Sequence, residues 1–446
     1  MTSTLKVAIV GSGPGGFYAA EALLRLVPAS QVDMIERLST PHGLVRYGVA
    51  PDHQKLKQVA AAFDAIARDP RFRLLAGVEL GAHVSLDELR GRYHVVVLAT
   101  GSPVGRELGI PNECLVQVFT SAQFVGWYNG HPDQAALRPD LSGPTAVVIG
   151  NGNVSLDVCR LLAEPFDELR VSDIPEPMLR AFECRGVREI HMIGRARVTA
   201  TKFTFKEFRQ LVEHPAVNVC VPQAGHWSDA DWSGSASDDA HRVAEWLRAN
   251  AERHADSAKV NINFWFNVLP TAFSGEHCVS AVSLSGLAGE SQPPHVLPCS
   301  IAVTCIGFEM DAIAGLPGGG RHDALPHRSG QVLSCQGDEI PGLFATGWAK
   351  RGPTGVIGTN RADGYETVQA MLARLPSLTA RRLVSEPLDV LLADRGVEPV
   401  SYPRWLQIDR WERERGARLG KPREKALSAS DVRCALASDP VSQSAA

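Results

Sequence analysis

Two stretches of the chain share one pattern: a short apolar strand, a glycine-rich turn, and a segment with helical spacing of apolar residues. In the first, strand Lys6–Val10 enters a G-x-G-x-x-G turn that opens helix Phe17–Leu26. In the second, strand Thr145–Ile149 enters the turn GNGN and opens a helix that reaches Leu162. Such a turn brings backbone close to a pyrophosphate, which the unpaired N–H groups of the new helix can bind. The pattern therefore predicts two dinucleotide-binding folds in one chain.

The residue that ends the second strand of each fold distinguishes the two dinucleotides. Strand Gln31–Ile35 delivers Glu36, twenty positions after Gly16, and a carboxylate there accepts bonds from ribose hydroxyls that carry no 2′-phosphate. The corresponding strand of the second fold ends at GRAR, where Arg195 and Arg197 fit a ribose 2′-phosphate. One charge-assisted bond to phosphate is worth roughly 1.5–3 kcal/mol, enough to prefer NADP over NAD. We expect FAD in the first fold and NADP(H) in the second, a pairing that lets hydride pass from nicotinamide to flavin. The alternative for the first turn is a glycine-rich strand–helix connection that binds nothing.

Other segments complete the two folds. The Pro- and Gly-rich stretch Thr40–His53 is predicted to be an irregular loop that lies along a cofactor. The apolar run Val95–Thr100 suits a buried parallel strand, and the following glycine marks an exit from the first fold. The return is Leu343–Trp348, a strand followed by a turn, and Lys350–Asn360 then opens another helix. A small added sheet is predicted from three strands, Val260–Leu269, Val279–Leu284 and Ser300–Cys305.

The order of these segments predicts an α/β fold with two Rossmann-like dinucleotide-binding domains. The FAD domain is discontinuous, with the NADP domain inserted into it. We place the first part of the FAD domain at residues 1–104 and the NADP domain at 105–321. The second part of the FAD domain spans 322–425. Residues 426–446 are rich in Ser and Ala and are predicted to form a flexible C-terminal tail.

Composition narrows the class of protein. A chain of 446 residues is too long for one ordinary core. The net charge of −4 gives no case for a nucleic-acid partner. The nine cysteines are scattered without C-x-x-C, which favours buried thiols in a reducing compartment over a metal or iron–sulfur site. No apolar run approaches the ~20 residues of a membrane span, and a strand starts close to the first residue. We therefore expect a cytoplasmic protein without a membrane segment or leader peptide.

Four segments occur in an order that is more specific than either glycine turn: GSGPGGFYAAEALL, GLVRYGVAPDH, VVIGNGNVSLD and GWAKRGPTGVIGTN. Together they resemble the adrenodoxin reductase family of ferredoxin–NADP⁺ reductases, which is built on the glutathione-reductase-like fold. The resemblance covers the chain from Val7 to about Ile408. It implies two-electron reduction of FAD by NADPH, followed by single-electron transfers to an iron–sulfur ferredoxin.

The resemblance also implies site residues. Residues implied or predicted to contact FAD are Gly11, Gly13, Pro14, Gly15, Gly16, Glu36, Leu44, Trp348, Gly355, Val356 and Ile357. Those for NADP(H) are Arg106, Asn151, Gly152, Asn153, Val154, Arg195 and Arg197, with Glu207 nearby and Gly355 shared between the cofactors. His53 and Glu207 match catalytic positions at the nicotinamide–flavin contact. Because hydride transfer needs orientation more than an acid or base, we expect them to tune the reaction.

Each of these two residues has a plainer interpretation. His53 could be a loop histidine that satisfies backbone groups, and Glu207 a solvated helix residue paired with a neighbouring Lys or Arg. The arginines also depart from the family pattern. The family usually has adjacent arginines where this chain has Arg195-Ala196-Arg197, which predicts a weaker preference for NADPH and some use of NADH.

A ferredoxin is acidic, so its docking surface should be locally basic. Lys202, Lys206 and Arg209 lie at roughly helical spacing and are candidates, although an ordinary solvated face has the same pattern. A flavin disulfide reductase would need a cysteine pair soon after the first turn, and the first cysteine is Cys114. A flavin oxidoreductase that reduces quinones or other small acceptors remains an alternative. A non-catalytic dinucleotide-sensing scaffold is disfavoured because both cofactor motifs are complete.

Overall fold

The computed structural model describes residues 4–227, 229–234, 237–253, 259–286, 295–313, 315–316 and 324–438. Its strands are β1 (Leu5–Val10), β2 (Ser30–Glu36), β3 (Phe72–Ala76), β4 (Val95–Leu98), β5 (Val104–Gly105), β6 (Val118–Thr120), β7 (Thr145–Ile149), β8 (Glu189–Ile193), β9 (Val217–Cys220), β10 (Glu252–Arg253), β11 (Val260–Trp265), β12 (Val268–Ser274), β13 (Ala281–Gly286), β14 (His295–Pro298), β15 (Ile301–Thr304), β16 (Phe308–Glu309), β17 (His327–Arg328), β18 (Gln331–Leu333) and β19 (Glu339–Ala345).

Its α-helices are α1 (Pro14–Leu26), α2 (Leu44–Tyr47), α3 (Gln54–Lys57), α4 (Ala60–Ala67), α5 (Leu86–Arg92), α6 (Ser121–Tyr128), α7 (Asn153–Ala163), α8 (Phe166–Leu169), α9 (Glu176–Glu183), α10 (Phe205–Val212), α11 (Asp238–Ala249), α12 (Trp348–Arg351), α13 (Thr359–Leu372), α14 (Leu375–Thr379), α15 (Leu388–Asp394), α16 (Tyr402–Arg418) and α17 (Ala429–Ala437). No α-helix in the described part of the chain combines the length and apolarity that a bilayer crossing needs.

Two seven-stranded sheets organise these elements. The first has the order β17-β18-β19-β4-β1-β2-β3 and the second β10-β9-β11-β8-β7-β15-β6. Their central strands pair in parallel, as expected for strands linked by helices that cover both faces of a sheet. The first sheet joins strands from the beginning of the chain to strands beyond residue 326, and the second lies between them in sequence. The predicted α/β fold, with one dinucleotide-binding unit inserted into the other, is confirmed.

The chain passes between the sheets at one place in each direction. β5 leaves the first sheet and β16 returns to it, and the two pair antiparallel with Phe308 opposite Gly105. The central strands β4 and β15 are buried along their whole length, so their apolar runs pack against helices on both faces. The two sheets pack in separate hydrophobic clusters, and the chain connects them through this two-stranded crossover.

Two predictions of local structure are wrong. The predicted strands Val260–Leu269 and Ser300–Cys305 lie largely outside a small added sheet, because β11 and β15 belong to the second large sheet and only Val268 and Leu269 open β12. The small sheet consists of β12, β13 and β14. The stretch Thr40–His53 is not wholly irregular, because α2 forms one helical turn within it.

The C-terminal segment also differs from its prediction. Residues 426–437 are not a flexible tail, because Ser428 and Asp431 form a capping box that starts α17. Ala435 of this helix is buried in the core of the first sheet, beside Trp405 and Ile408 of α16. Residues 439–446 and the boundary at 321–322 lie outside the described residues. The domain boundaries at 104 and 425 stay predictions.

Candidate functional site

The glycines of the first turn serve two purposes. Gly11 has φ +107°, and a Cβ there would lie 2.3 Å from the carbonyl oxygen of Ala99. A Cβ on Gly16 would lie 2.1 Å from the carbonyl oxygen of Gly11. Both positions therefore need glycine for the close packing of β1, α1 and β4. A Cβ on Gly13 would meet nothing within 4 Å, so the start of α1, where Pro14 is the first residue, is open to a ligand.

Glu36 ends β2 with its carboxylate held in place. Its Oε2 accepts hydrogen bonds from the backbone N–H and the hydroxyl of Ser12, at 3.0 and 2.6 Å. Its Oε1 accepts from the N–H of Leu38 at 2.9 Å. A carboxylate has about four acceptor positions and three are in use, so Oε1 can still accept from a ribose hydroxyl. The residue fits the adenosine end of FAD and would repel a 2′-phosphate.

Two later segments converge on this turn. A Cβ on Gly43 would lie 2.9 Å from the Cα of Gly13, and a Cβ on Gly15 would lie 3.1 Å from the Cα of Gly347. Leu44 and Trp348 follow Gly43 and Gly347 directly, so both lie beside the turn.

The segment from Trp348 onward is shaped by its own hydrogen bonds. The indole Nε1 of Trp348 donates to the carbonyl of Thr354 at 3.2 Å. Gly355, which has φ +82°, directly precedes Val356 and Ile357. The side chains of Val356 and Leu44 are exposed, by 69% and 41%. Covering such apolar surface with a flavin would be favourable, so these residues fit the predicted cofactor.

The second turn has the same construction at the end of β7. Gly150 has φ +146°, and a Cβ there would lie 2.2 Å from the carbonyl oxygen of Cys305. Gly152 caps α7 without a side chain, which leaves the N–H groups at Asn153 and Val154 facing outward. Asn153 is fixed because its Oδ1 accepts from the N–H of Thr204 at 2.9 Å.

Asn151 supplies a second indication of a ligand. Its side chain packs against Gly194 at the end of β8, where a Cβ would lie 1.9 Å from Nδ2. This buried Nδ2 has no hydrogen-bond partner. A buried donor without an acceptor is costly, so a pyrophosphate or ribose oxygen at this position would satisfy it.

Three arginines predicted to bind NADP(H) lie around this turn. Arg195 and Arg197 are exposed just beyond β8, and the intervening carbonyl of Ala196 accepts from the N–H of Asn267 at 3.1 Å. Arg197 lines a small cleft together with Trp227 and other residues. Arg106 lies at the crossover between the sheets, where its N–H donates to the carbonyl of Gly307 at 3.0 Å. These positions are compatible with a bound dinucleotide, and the NADP(H) contacts themselves stay predictions.

The two predicted catalytic residues meet across the boundary between the sheets. His53 precedes α3, on the side of the first sheet, and Glu207 lies in the first turn of α10, on the side of the second. The Nε2 of His53 is 3.9 Å from the Oε2 of Glu207 and 3.3 Å from the Oε1 of Gln210. The structure thus brings His53 and Glu207 together, while their catalytic role stays a prediction.

Four further residues of this site were missed by the sequence reasoning: Asp52, Asp157, Arg160 and Gln210. The ligating atoms of His53, Asp157 and Glu207 all lie within 4.8 Å of one another. Asp52 carries a carboxylate oxygen 3.7 Å from the Nε2 of His53. The sequence contained only weak evidence that these residues belong to the site: Asp157 lies in the helix that follows the second turn, and Asp52 directly precedes His53. Only the packing of the two sheets shows that they meet.

One guanidinium neutralises this cluster in part. Arg160 is buried and pairs with Asp52, with Asp157 at 2.8 Å, and with Glu164 at 3.6 Å. Burial, together with the neighbouring Asp52, raises the pKa of Glu164 to about 7, although Arg160 opposes the shift. Burial also raises the pKa of Asp157, again against the effect of Arg160. The charged cluster around Arg160, next to His53, therefore has more carboxylates than cations.

None of the nine cysteines, all within the described residues, forms a disulfide. The site that the two sheets form is instead built from carboxylates, a histidine and two helix N-termini. Helix N-termini of this kind can bind the pyrophosphates of two dinucleotides.

Comparison with known proteins identifies the family. Residues 5–199 match the pyridine nucleotide-disulphide oxidoreductase family model. The chain is 37% identical to the NADPH-ferredoxin reductase FprA of Mycobacterium leprae, over 94% of this chain and 95% of that protein. It is 35% identical to the mitochondrial NADPH:adrenodoxin oxidoreductase of Bos taurus, over 96% and 91%. The solved structure of Mycobacterium tuberculosis FprA in complex with NADPH superposes with a TM-score of 0.88 at 35% identity, and the match covers 97% of this chain and 99% of that one.

The resemblance inferred from four sequence segments is thereby confirmed over nearly the whole chain. The matched length includes the glycine turns, the strand ends that carry Glu36 and Arg195, and the His53–Glu207 contact. This chain belongs to the family of NADPH–ferredoxin and NADPH:adrenodoxin reductases.

Proposed function

We propose that this protein is an FAD-dependent ferredoxin–NADP⁺ reductase that oxidises NADPH and passes the electrons singly to an iron–sulfur ferredoxin. One observation carries the proposal: a fixed carboxylate, Glu36, ends the first dinucleotide fold, while Arg195 and Arg197 end the second. The contact of His53 with Glu207 lies between the two folds. The names of the relatives, which are reductases of ferredoxin or adrenodoxin that use NADPH, support the same activity.

The residues have distinct tasks in this reaction. Glu36 binds the ribose of FAD, and Asn151 with the start of α7 binds the pyrophosphate of NADPH. Leu44, Trp348 and Val356 cover the cofactor and exclude water. When bound, FAD supplies a ring that accepts a hydride and returns electrons one at a time. Positioning is the protein's main contribution, because hydride transfer needs no acid or base.

The charges beside His53 add an electrostatic contribution. Hydride donation leaves a positively charged nicotinamide, and the carboxylates of Glu207, Asp157 and Asp52 place negative charge where the two folds meet. Preorganised charge of opposite sign stabilises a charge that develops during a reaction. We therefore assign Glu207 and His53 a tuning role and not that of a general acid or base.

Anaerobic stopped-flow reduction of the FAD-loaded protein by NADPH and by NADH tests this proposal. We expect reduction by both, with NADPH preferred. Arg195→Ala and Arg197→Ala should each raise the half-saturating NADPH concentration roughly 10- to 100-fold, equivalent to the loss of one phosphate bond, and leave NADH unaffected. Arg188→Ala, an exposed arginine at the other end of β8, is the control. Protein that cannot be loaded with FAD, or that shows no effect of either arginine on NADPH, would contradict the proposal.

The electron acceptor is tested separately. Cytochrome c reduction measured with and without added ferredoxin distinguishes a ferredoxin reductase from an oxidoreductase of quinones or other small acceptors. We expect ferredoxin to stimulate the rate strongly, and an equal rate without it would favour the alternative. The relatives include both bacterial and mitochondrial proteins, so a cytoplasmic location stays a prediction.

A further inference from the structure

A buried cluster of charges joins three separate parts of the chain. Lys57, the last residue of α3, donates from Nζ to both carboxylate oxygens of Asp173 at 2.7 and 2.8 Å. Lys425, which lies between α16 and α17, places its Nζ 3.3 Å from the same carboxylate. Lys425 also donates to the carbonyl of Asn129 at 2.9 Å. The side chain of Lys425 is 0% exposed, that of Asp173 3% and that of Lys57 11%.

Two ammonium groups share one carboxylate in this cluster. Burial lowers the pKa of Lys425 well below its ordinary value and also lowers that of Lys57, although Asp173 opposes both shifts. The two lysines lower the pKa of Asp173 to about 2 against the effect of burial. Desolvation makes such a cluster a poor source of net stability, and its best-attested role is to fix one arrangement of the chain.

The cluster contacts the segment that carries His53. Both ends of the segment 51–57 bind residues from the elements around the second sheet. At the first end, Asp52 pairs with Arg160, and the N–H of Asp173 lies 3.5 Å from the carbonyl oxygen of Pro51. At the other end, Lys57 pairs with Asp173. Asp173 thus contacts both ends of the segment, and Lys425 fixes Asp173 through their ion pair.

We propose that Lys425 is a positioning residue for His53. By fixing Asp173, it holds α3 in place and so maintains the distance between His53 and Glu207 across the two folds. Lys57 and Asp173 transmit this effect, and the C-terminal segment thereby sets the geometry of the redox site. The inference rests on the proposed function, because it assigns Lys425 an effect on the hydride step.

The test uses Lys425→Met in the FAD-loaded full-length protein. Because Lys57 and Asp173 then remain as a balanced pair, we expect the variant to fold. The limiting rate of flavin reduction by NADPH should fall roughly 10- to 100-fold, since a misplacement of about 1 Å that originates far from the chemistry can have an effect of this size. The half-saturating NADPH concentration should change less than twofold, because the predicted phosphate contacts at Arg195 are not part of the cluster. Lys55→Met, an exposed lysine on the same short helix, is the matched control and should keep the wild-type rate.

A double-mutant cycle separates positioning from a general structural defect. If Lys425 acts through His53, then His53→Ala with Lys425→Met should be no slower than His53→Ala alone. Additive losses, or a wild-type rate in Lys425→Met, would overturn the inference. Lys57→Met also leaves a balanced pair and carries the same expectation should Lys425→Met fail to fold.

A measurement without turnover distinguishes this failure from failure of the proposed function. Amide hydrogen exchange over residues 53–57 should be faster in Lys425→Met than in the wild type, and unchanged in Lys55→Met. Unchanged exchange in Lys425→Met would overturn the positioning role whatever the activity. Wild-type protein that NADPH fails to reduce would instead refute the proposed reductase activity.

Discussion

Arg160 is the cation that pairs with the carboxylates near His53. It is one buried guanidinium that faces the carboxylates of Asp52, Asp157 and Glu164. Asp52 and Asp157 lie nearest to it, so Glu164 receives the least compensation for its burial. Burial raises the pKa of Glu164 and the nearby Asp52 adds to the shift, while Arg160, whose charge is shared among three carboxylates, only partly opposes it.

The pKa of Glu164 predicts a pH dependence of stability. Its pKa rises from an ordinary 4.5 to about 7 in the folded protein, so the folded chain binds more protons than the unfolded chain between these values. Stability from this group is therefore fully present below about pH 4.5 and is lost as pH rises through 7, on the order of 3 kcal/mol. Urea unfolding between pH 5 and 8 should show the wild type losing stability relative to Glu164→Gln as the pH rises. Exposed Glu183→Gln is the control, and parallel profiles for the wild type and Glu164→Gln would refute the assignment.

At the scale of elements, α16 connects the C-terminal segment to the loop that lies beside the first turn. Its buried Glu412 forms a two-bond pair with Arg46 of α2, at 2.6 and 2.8 Å. The same carboxylate accepts from Arg423 at 3.0 Å and from the N–H of Ala426 at 2.8 Å. Arg46 also lies over the ring of Trp405, 5.4 Å from its centroid. One carboxylate thus joins α2, α16 and the approach to α17.

Glu412→Ala should destabilise the protein by about 3–5 kcal/mol, because it leaves the buried guanidinium of Arg46 without its partner. Denaturant unfolding followed by tryptophan fluorescence measures the change. Glu414→Ala, on the exposed side of the same helix, should stay within about 0.5 kcal/mol of the wild type. Similar values for the two variants would show that the pair with Arg46 does not anchor α16.

The whole molecule carries a net charge of −4, and the proposed ferredoxin partner is also acidic. Docking therefore requires a locally basic surface. The candidate basic face lies on and before α10, the helix that carries Glu207. Lys202 and Lys206 are exposed there. Arg209 forms two bonds of 2.8 Å with Glu213, so part of its charge is already neutralised. Lys206 is therefore the stronger candidate of the two residues on the helix.

Lys206→Glu should raise the half-saturating ferredoxin concentration roughly 3- to 10-fold at low ionic strength, because rim charges act mainly on encounter. The difference should fade at high salt as the charges are screened. Lys259→Glu, an exposed lysine just before β11, is the matched control, and flavin reduction by NADPH should be normal in both. An unchanged salt dependence in Lys206→Glu would remove this face from the docking surface.

The two glycine turns, and the prediction that they bind different dinucleotides, could be read from contiguous residues of the sequence. Gly11 and Gly150 have the positive φ that each turn requires, and Gly16 contacts the carbonyl of Gly11 within the same strand–turn–helix unit, so a short window of sequence contains this signal. The carbonyls of Ala99 and Cys305, which also exclude a side chain at Gly11 and Gly150, lie far along the chain. Glu36 and Arg195 end strands of those same units. Family membership was equally visible, because it rests on contiguous segments.

Tertiary structure alone decided which distant residues meet. His53, Asp157 and Glu207 come from three separate elements, and Lys425 reaches Asp173 across 252 positions. β11 was misassigned because a short apolar run has the same pattern in whichever sheet it pairs. The tail was misassigned because α17 is stabilised by packing on a surface that its own composition does not reveal. Local patterns specify backbone conformation, whereas the burial of charges and the docking of helices depend on contacts between residues far apart in the chain.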